Sequence, residues 1–437
     1  MTPEYATLLT FSLLLLMIIA GVPLGYSTLA TAVIVGTVAF GFNSLLLIAG
    51  RIYDTSTNYV LITVPLFIMM GIIMERGGIA QALFNVLHVW TARIPGGMAV
   101  GCILAGSIMA AMVGVVGADI ITLGLVALPT MLSRGYDKSL ALGVVCASGT
   151  LGAMIPPSLV LVIYGLIAGV SIAELFAAAM IPGLMLAGLY AVYVVVRCIL
   201  QPELAPKPPR EELDLPLGQK LALARHLILP IGIVVAVLGS IYAGIASPTE
   251  AAAVGTAGAL VAILFGRKFK LRDIHETVVQ TGRAMGPVMW TFFGATALVG
   301  IYTLVGGITY LSGLISDLPL PPIGIIIVMM IILILLGMVL DWVGIALLTL
   351  PIFIPVVREL GYDPIWFGVL FCMNMQIGYM SPPFGPSAFY LKSVTPPGIR
   401  LEDIFMAILP FLLLQVVALA FIIAFPDIAL WLPEQMR

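Results

Sequence analysis

The sequence predicts an all-α polytopic membrane protein built from two inverted-topology repeats, each with a re-entrant helical hairpin and a discontinuous transmembrane helix. Three observations carry that expectation. First, the 437 residues are 61% hydrophobic and only 9% charged, with a mean hydropathy of +1.18, whereas a soluble domain carries about a quarter charged residues. Second, several apolar runs reach the roughly 20 residues that span a bilayer, and none shows the short alternating segments of an outer-membrane barrel. Third, two of these runs are interrupted by paired prolines, Pro156-Pro157 and Pro382-Pro383.

In chain order, helices are expected at about 5–20 and 23–42, with Gly21-Val22-Pro23 as the turn between them. The first is read as a membrane helix, because the run Ala6 to Ala20 lacks the basic flank of a cleaved signal. A polar stretch from Asn43 to Asn58 leads into a third helix at about 59–75. Residues 79–94 place Gln81, Asn85, His88 and Arg93 among apolar positions and read as an interfacial amphipathic helix. Residues 97–134 are apolar but divided at Val113-Gly114-Val115-Val116-Gly117-Ala118-Asp119, which fits two half-length helices meeting at a tip. Two full crossings or one kinked helix are the alternatives. A broken helix at about 138–167 and a helix at about 173–199 complete a first repeat, 1–200.

Residues 201–224 hold five prolines together with Lys207, Arg210, Glu211, Glu212, Asp214 and Lys220, the composition of a solvated cytoplasmic connector. The second repeat, 225–437, is expected to place helices at about 226–243, 249–266 and 284–304. A hairpin at about 322–358, a broken helix at about 364–392 and a last helix at about 402–425 follow.

The repeat is visible in register. Gly135-Tyr136-Asp137 recurs as Gly361-Tyr362-Asp363, an offset of 226 (363 minus 137). The same offset takes Gly152 to Gly378 and Pro156-Pro157 to Pro382-Pro383 without a gap. The first copy has five crossings if its hairpin is re-entrant and seven if it spans twice. Either number is odd, so the second copy is inverted, an arrangement typical of secondary transporters. Counting alternate sides, 16 of the 19 Lys and Arg fall on one face, leaving Arg51, Arg358 and Arg437 on the other. The crowded face, which includes Arg267, Lys268 and Lys270, is therefore cytoplasmic and both termini are periplasmic.

A helix cannot continue through adjacent prolines and glycines without losing hydrogen bonds, and unwound backbone at bilayer depth must be buried in protein or line a cavity. Such a break ends one half-helix in free carbonyls, which suit a cation, and begins the next with free N–H groups, which suit an anion. Gly149, Thr150 and Gly152 are therefore candidate cation ligands, and the half-helix after Pro156-Pro157-Ser158 a candidate for an anionic substrate. Their counterparts are Asn374, Gln376 and Gly378 for the cation, and Ser381, Pro382, Pro383 and Ser387 for the substrate. Gly114 and Gly117 in the first tip, and Gly337 with Asp341 in the second, complete each ion site. Asp119 and Asp341 are the acids of most interest, since an acid at helix centre costs about 2.5–3.5 kcal/mol on insertion scales; an N-cap role is the alternative for Asp341. An all-oxygen ligand set suits sodium rather than zinc or copper. The four cysteines, Cys102, Cys146, Cys198 and Cys372, lie in apolar runs without metal-ligand spacing. No HExxH or GxSxG motif is present, so no enzyme is expected.

At these residues the chain resembles the large membrane subunit of tripartite ATP-independent periplasmic (TRAP) transporters. The resemblance is carried by Val64-Pro65-Leu66-Phe67-Ile68, by Gly149-Thr150-Leu151-Gly152 with Ile155-Pro156-Pro157-Ser158, by Gly337-Met338 with Asp341, and by Ile377-Gly378 with Pro382-Pro383. It covers nearly the whole chain. It implies a sodium-driven, elevator-type importer of a small organic acid (a carboxylate) in the bacterial inner membrane. The expected partners are a small four-helix membrane subunit and a periplasmic substrate-binding protein, with no nucleic acid. The family's sodium sites carry over to Gly114, Gly149, Thr150 and Gly152, and to Gly337, Asp341 and Gly378. The chain departs from the family at the first tip, where Val113 and Val115 replace small hydroxyl residues, and at Pro386-Ser387 after the second break. A stand-alone divalent-anion/sodium symporter of related architecture is the alternative reading.

Overall fold

The computed structural model of the chain describes residues 1–114, 116–207, 216–265 and 271–436. Val115, connector residues 208–215, Arg267, Lys268, Lys270 and Arg437 lie outside the described residues. Among the described residues the chain is helical, with no strand. In order, the helices are α1 (Pro3–Ile19), α2 (Leu24–Phe40), α3 (Ser44–Ser56), α4 (Thr63–Arg76), α5 (Ile79–Thr91), α6 (Gly97–Val113) and α7 (Val116–Ser133). Then come α8 (Lys138–Thr150), α9 (Leu159–Ala168), α10 (Ile172–Leu200), α11 (Leu217–Tyr242), α12 (Pro248–Phe265) and α13 (Leu271–Leu304). The chain continues with α14 (Gly307–Ser316), α15 (Pro322–Gly337), α16 (Trp342–Glu359), α17 (Pro364–Met380), α18 (Pro386–Lys392), α19 (Leu401–Ala424) and α20 (Asp427–Met436). Seven helical stretches among the described residues are long and apolar enough to cross a bilayer, so the protein is a polytopic membrane protein.

The Gly-Tyr-Asp signature does the same local work at both of its occurrences. Gly135 and Gly361 take positive φ (77° and 80°), which glycine alone adopts without strain. The amides of Tyr136 and Tyr362 then bond back to the carbonyls of Met131 and Val357, closing the ends of α7 and α16. Asp137 and Asp363 cap the next helices by accepting from the amides of Leu140 (2.9 Å) and Ile365 (2.7 Å). Helix bounds follow the same spacing: α7 covers 116–133 and α16 covers 342–359, each bound 226 apart.

Four expectations need correction. The polar stretch Asn43–Asn58, for which no helix was expected, contains α3, whose buried Ile48 packs against α13. α13 starts at Leu271 rather than near 284, because hydropathy marks the membrane-crossing part of a helix and misses its charged first turns. α11 begins at Leu217, inside the stretch read as connector, because Leu217–Ala224 holds no proline or glycine pair to stop it. Two short helices, α14 and α20, were not anticipated; at ten residues each they carry too few apolar positions to register as spans.

One large apolar core joins the hairpins α6–α7 and α15–α16, the broken helices α8–α9 and α17–α18, and the long helices α10 and α19. A smaller cluster, with Leu14, Ala32, Val35, Ile48 and Ile301, holds α1, α2 and α3 to α13. There α2 and α13 meet through glycines: a Cβ on Gly294 would lie 2.2 Å from the Gly25 carbonyl oxygen, and one on Gly25 would lie 2.8 Å from the Thr291 amide. Without a strong hydrophobic drive between helices in lipid, such small-residue contacts set how closely helices pack. Gly294→Val is accordingly expected to lower the thermal unfolding temperature of the purified protein, since overpacking costs about 1–3 kcal/mol. An unshifted melting curve would mean that the two helices can separate freely.

Candidate ion and substrate site

The first break is a buried loop. α8 ends at Thr150, one 3-10 turn covers Leu151–Ala153, and the backbone stays irregular to Ser158 before α9 begins. Every residue from Ser148 to Ser158 is buried in protein, which is how non-helical backbone is tolerated at this depth. The Ser158 hydroxyl donates to the Ala153 carbonyl, and the Thr150 hydroxyl donates to the Ala147 carbonyl at 2.9 Å. Cys372 on α17 also donates to the Ala153 carbonyl.

The first hairpin tip rests on this loop. Gly114 has φ +63°, and a Cβ there would lie 2.5 Å from the Pro157 carbonyl oxygen, so both conformation and space call for glycine. A Cβ on Gly149 would lie 2.8 Å from the Ile120 amide, which seats the end of α8 on α7. Gly117 does not face the first break. Its nearest neighbour is the ring of Tyr390, 3.0 Å from where its Cβ would be, on α18. Gly152 is buried within the 3-10 turn.

The second break repeats the plan with more exposure. α17 ends at Met380, Ser381–Gly385 is irregular and α18 follows; Pro383 and Phe384 are exposed where their counterparts are buried. The Ser381 hydroxyl donates to the Ile377 carbonyl (2.9 Å), and Ser387 is buried with its hydroxyl unpartnered. Gly337 and Gly378 meet backbone to backbone: a Cβ on Gly337 would lie 3.0 Å from the Gly378 Cα, and the reverse contact is 3.1 Å. Asp341 caps α16, accepting from the amides of Val343 (3.1 Å) and Gly344 (3.4 Å). A cavity of about 130 Å³ opens beside it, lined by Gly337, Asp341, Gly378, Tyr379, Pro386 and Tyr390.

Asn374 and Gln376 are fully buried but do not line that cavity. The Asn374 amide donates to the Met330 carbonyl (3.2 Å) on α15. The Gln376 amide donates to the Thr150 hydroxyl at 3.4 Å, a contact between residues 226 apart that ties the two breaks together. Sequence reasoning missed two groups here. Tyr190 on α10 and Gln415 on α19 are fully buried, and the Tyr190 hydroxyl lies close to Gln415, Thr150 and Gln376 without reaching hydrogen-bond geometry to any. Each lies within the apolar stretch of a long helix that follows a break. Asp119 is fully buried on α7, and the small cavity that it lines is shared with Glu75. The four cysteines are buried and unpaired, and no group of three His, Cys, Asp or Glu side chains that could hold a metal exists among the described residues.

Buried, interrupted membrane helices met by glycine-lined hairpin tips define the chain as a polytopic membrane transport protein. Residues 11–428 match the family model described as "Tripartite ATP-independent periplasmic transporter, DctM component". The chain is 32% identical over 396 residues to a C4-dicarboxylate TRAP transporter large permease protein of Pseudomonas aeruginosa, covering 90% of this chain and 91% of that one. It is also 32% identical over 388 residues to an ectoine TRAP transporter large permease protein of Halomonas elongata, covering 86% of each. In fold it is similar to the Alcanivorax borkumensis YdaH transporter, with a TM-score of 0.63, 16% identity and 98% of both chains covered. The chain belongs to the DctM-component family of TRAP transporters; it is a multi-pass inner-membrane permease and not an enzyme.

Proposed function

We propose that this permease imports a small organic acid driven by sodium, through an elevator movement of its hairpins and broken helices. The observation that carries the reading is that each hairpin meets a helix break through glycine, Gly114 on Pro157 and Gly337 on Gly378. At each junction carbonyls, hydroxyls and, in the second, the Asp341 carboxylate stand beside the start of a half-helix, the pairing a cation and a carboxylate require. In this reading the cation ligands are Gly114, Gly149, Thr150 and Gly152 in the first half; Gly117, turned to the Tyr390 ring, is not among them. In the second they are Gly337, Asp341 and Gly378, which line one cavity; Asn374 and Gln376 are turned to Met330 and Thr150 instead. The substrate groups are Pro156, Pro157, Ser158, Ser381, Pro382, Pro383 and Ser387.

The inverted-repeat reading is supported by the constant spacing of 226 between α7 and α16, and by the Thr150–Gln376 contact at that same separation. The re-entrant reading of the hairpins is favoured by the Gly114 tip meeting the Pro157 carbonyl within the break between α8 and α9. The cytoplasmic placement of the basic face, with both termini periplasmic, rests on charge counting alone. The tripartite family supports a small membrane subunit and a periplasmic binding protein as partners. The relatives' names differ in substrate, a C4-dicarboxylate and ectoine, which fits a permease whose selectivity is shared with its binding protein.

The test is uptake into proteoliposomes containing this chain and its partners, with radiolabelled C4-dicarboxylates and ectoine as probes. Uptake is expected only with an inward sodium gradient. Two sodium ions entering with a monoanion carry net charge, and each charge gains about 2.3 kcal/mol per 100 mV, so that cycle responds to potential while one with a dianion does not. Uptake indifferent to sodium would overturn the coupling, and uptake without partners would favour the stand-alone symporter.

A further inference from the structure

We propose that Glu75, Asp119 and Thr122 form a cation site of their own, in the cavity between the end of α4 and the first turns of α7, that takes one hard monovalent cation of the sodium class. Asp119 lies in the first turn of α7, is fully buried, and neither of its carboxylate oxygens has a hydrogen-bond partner. A buried acid in a membrane protein normally faces a partner or an ion. The group nearest in character is another acid: Glu75, in the last turn of α4, is close enough to act on Asp119 electrostatically. Two carboxylates at one buried place do not both stay charged unaided: either one holds a proton or a cation lies with them.

Among the described residues no cationic side chain lines the cavity that the two acids share. Arg76 adjoins Glu75 in sequence, but its guanidinium is turned to α13, donating to Glu276 (3.0 Å) and Gln280 (2.9 Å). Among the described residues, Glu75 and Asp119 are the only charged ones lining the small cavity they share, whose other walls include Met74, Met109 and Met112. The Thr122 hydroxyl, one turn beyond Asp119, donates to a Glu75 oxygen at 3.1 Å and so presents its own lone pair to the same space.

The size and chemistry of the space choose the occupant. The centre of a water-sized sphere has about 10 Å³ to move in, room for a single small particle. Carboxylate and hydroxyl oxygens are hard ligands. Calcium needs six to eight oxygens and magnesium keeps several waters, neither of which fits; a bare monovalent cation does. Bound there, it joins α4 to α7 and so fixes one arm of the first hairpin to the helix beside it.

The experiment is equilibrium binding of radioactive sodium to the purified full chain in detergent, in alkaline buffer so that protons do not compete. Asp119→Asn is expected to lower the bound stoichiometry by one ion, and Glu75→Gln to weaken that ion at least about tenfold. Asp341→Asn, which acts at the second tip, should leave this ion in place, so the site stands or falls separately from the coupling sites. Glu75→Gln sits at the edge of the cavity and serves as the readout should Asp119→Asn fail to fold. Unchanged stoichiometry and affinity in the acid-pair variants, or a wild-type chain whose only sodium is lost with Asp341→Asn, would overturn the proposal. Either result would leave a proton shared between the two carboxylates as the occupant.

Discussion

Gly378→Val is expected to abolish uptake while leaving the protein in the membrane. Gly378 and Gly337 approach so closely that a single added carbon would lie 3.0–3.1 Å from the facing Cα, and the neighbour is backbone, which cannot rotate away. Overpacking at such a contact costs about 1–3 kcal/mol, and 1.4 kcal/mol is about tenfold in an equilibrium. The closed junction between the second hairpin and the second break then becomes a minor population. Gly188→Ala is the matched control, because nothing lies within 4 Å of its added carbon. Uptake by Gly378→Val within twofold of wild type, about 0.4 kcal/mol by the same conversion, would mean that the junction is not part of the transport cycle.

The second large effect is expected from Asp341→Asn. Asp341 caps α16 through the amides of Val343 and Gly344, and asparagine caps as well as aspartate does. The substitution therefore removes one charge from the cavity shared with Gly337 and Gly378 and keeps the helix start. Apparent sodium affinity for uptake should fall at least about tenfold, a loss of about 1.4 kcal/mol. Asp341→Ala would add the loss of the cap, about 1 kcal/mol, visible as a lower melting temperature. If Asp341→Asn keeps the wild-type sodium dependence, Asp341 is a helix cap and the cavity's ion ligands are backbone.

The two helix breaks were legible in the sequence because they are local. A helix cannot run on through paired prolines, and Gly-Tyr-Asp ends one helix and caps the next within three residues. The same holds for Gly114 at a hairpin tip. What was not legible depends on distant neighbours. α3 hid in a polar stretch because its partner, α13, lies more than two hundred residues away. Tyr190 and Gln415 lie in helices remote in sequence from one break or the other, and only the fold brings them beside Thr150 and Gln376.

Asp119 shows the division most clearly. From the sequence it belonged with the first hairpin tip, two residues past Gly117. In the fold, the same side chain shares a buried cavity with Glu75, because α4 packs against the hairpin and a helix turns its residues by about 100° each step. The sequence by itself determined that the chain is a helical membrane protein, where its helices break, and that the breaks recur at a spacing of 226 residues. Only the tertiary structure decided which glycines face each other and which acid meets which. Composition and helix breakers act on the residues beside them, whereas ligand geometry arises only when segments far apart in the chain are packed together.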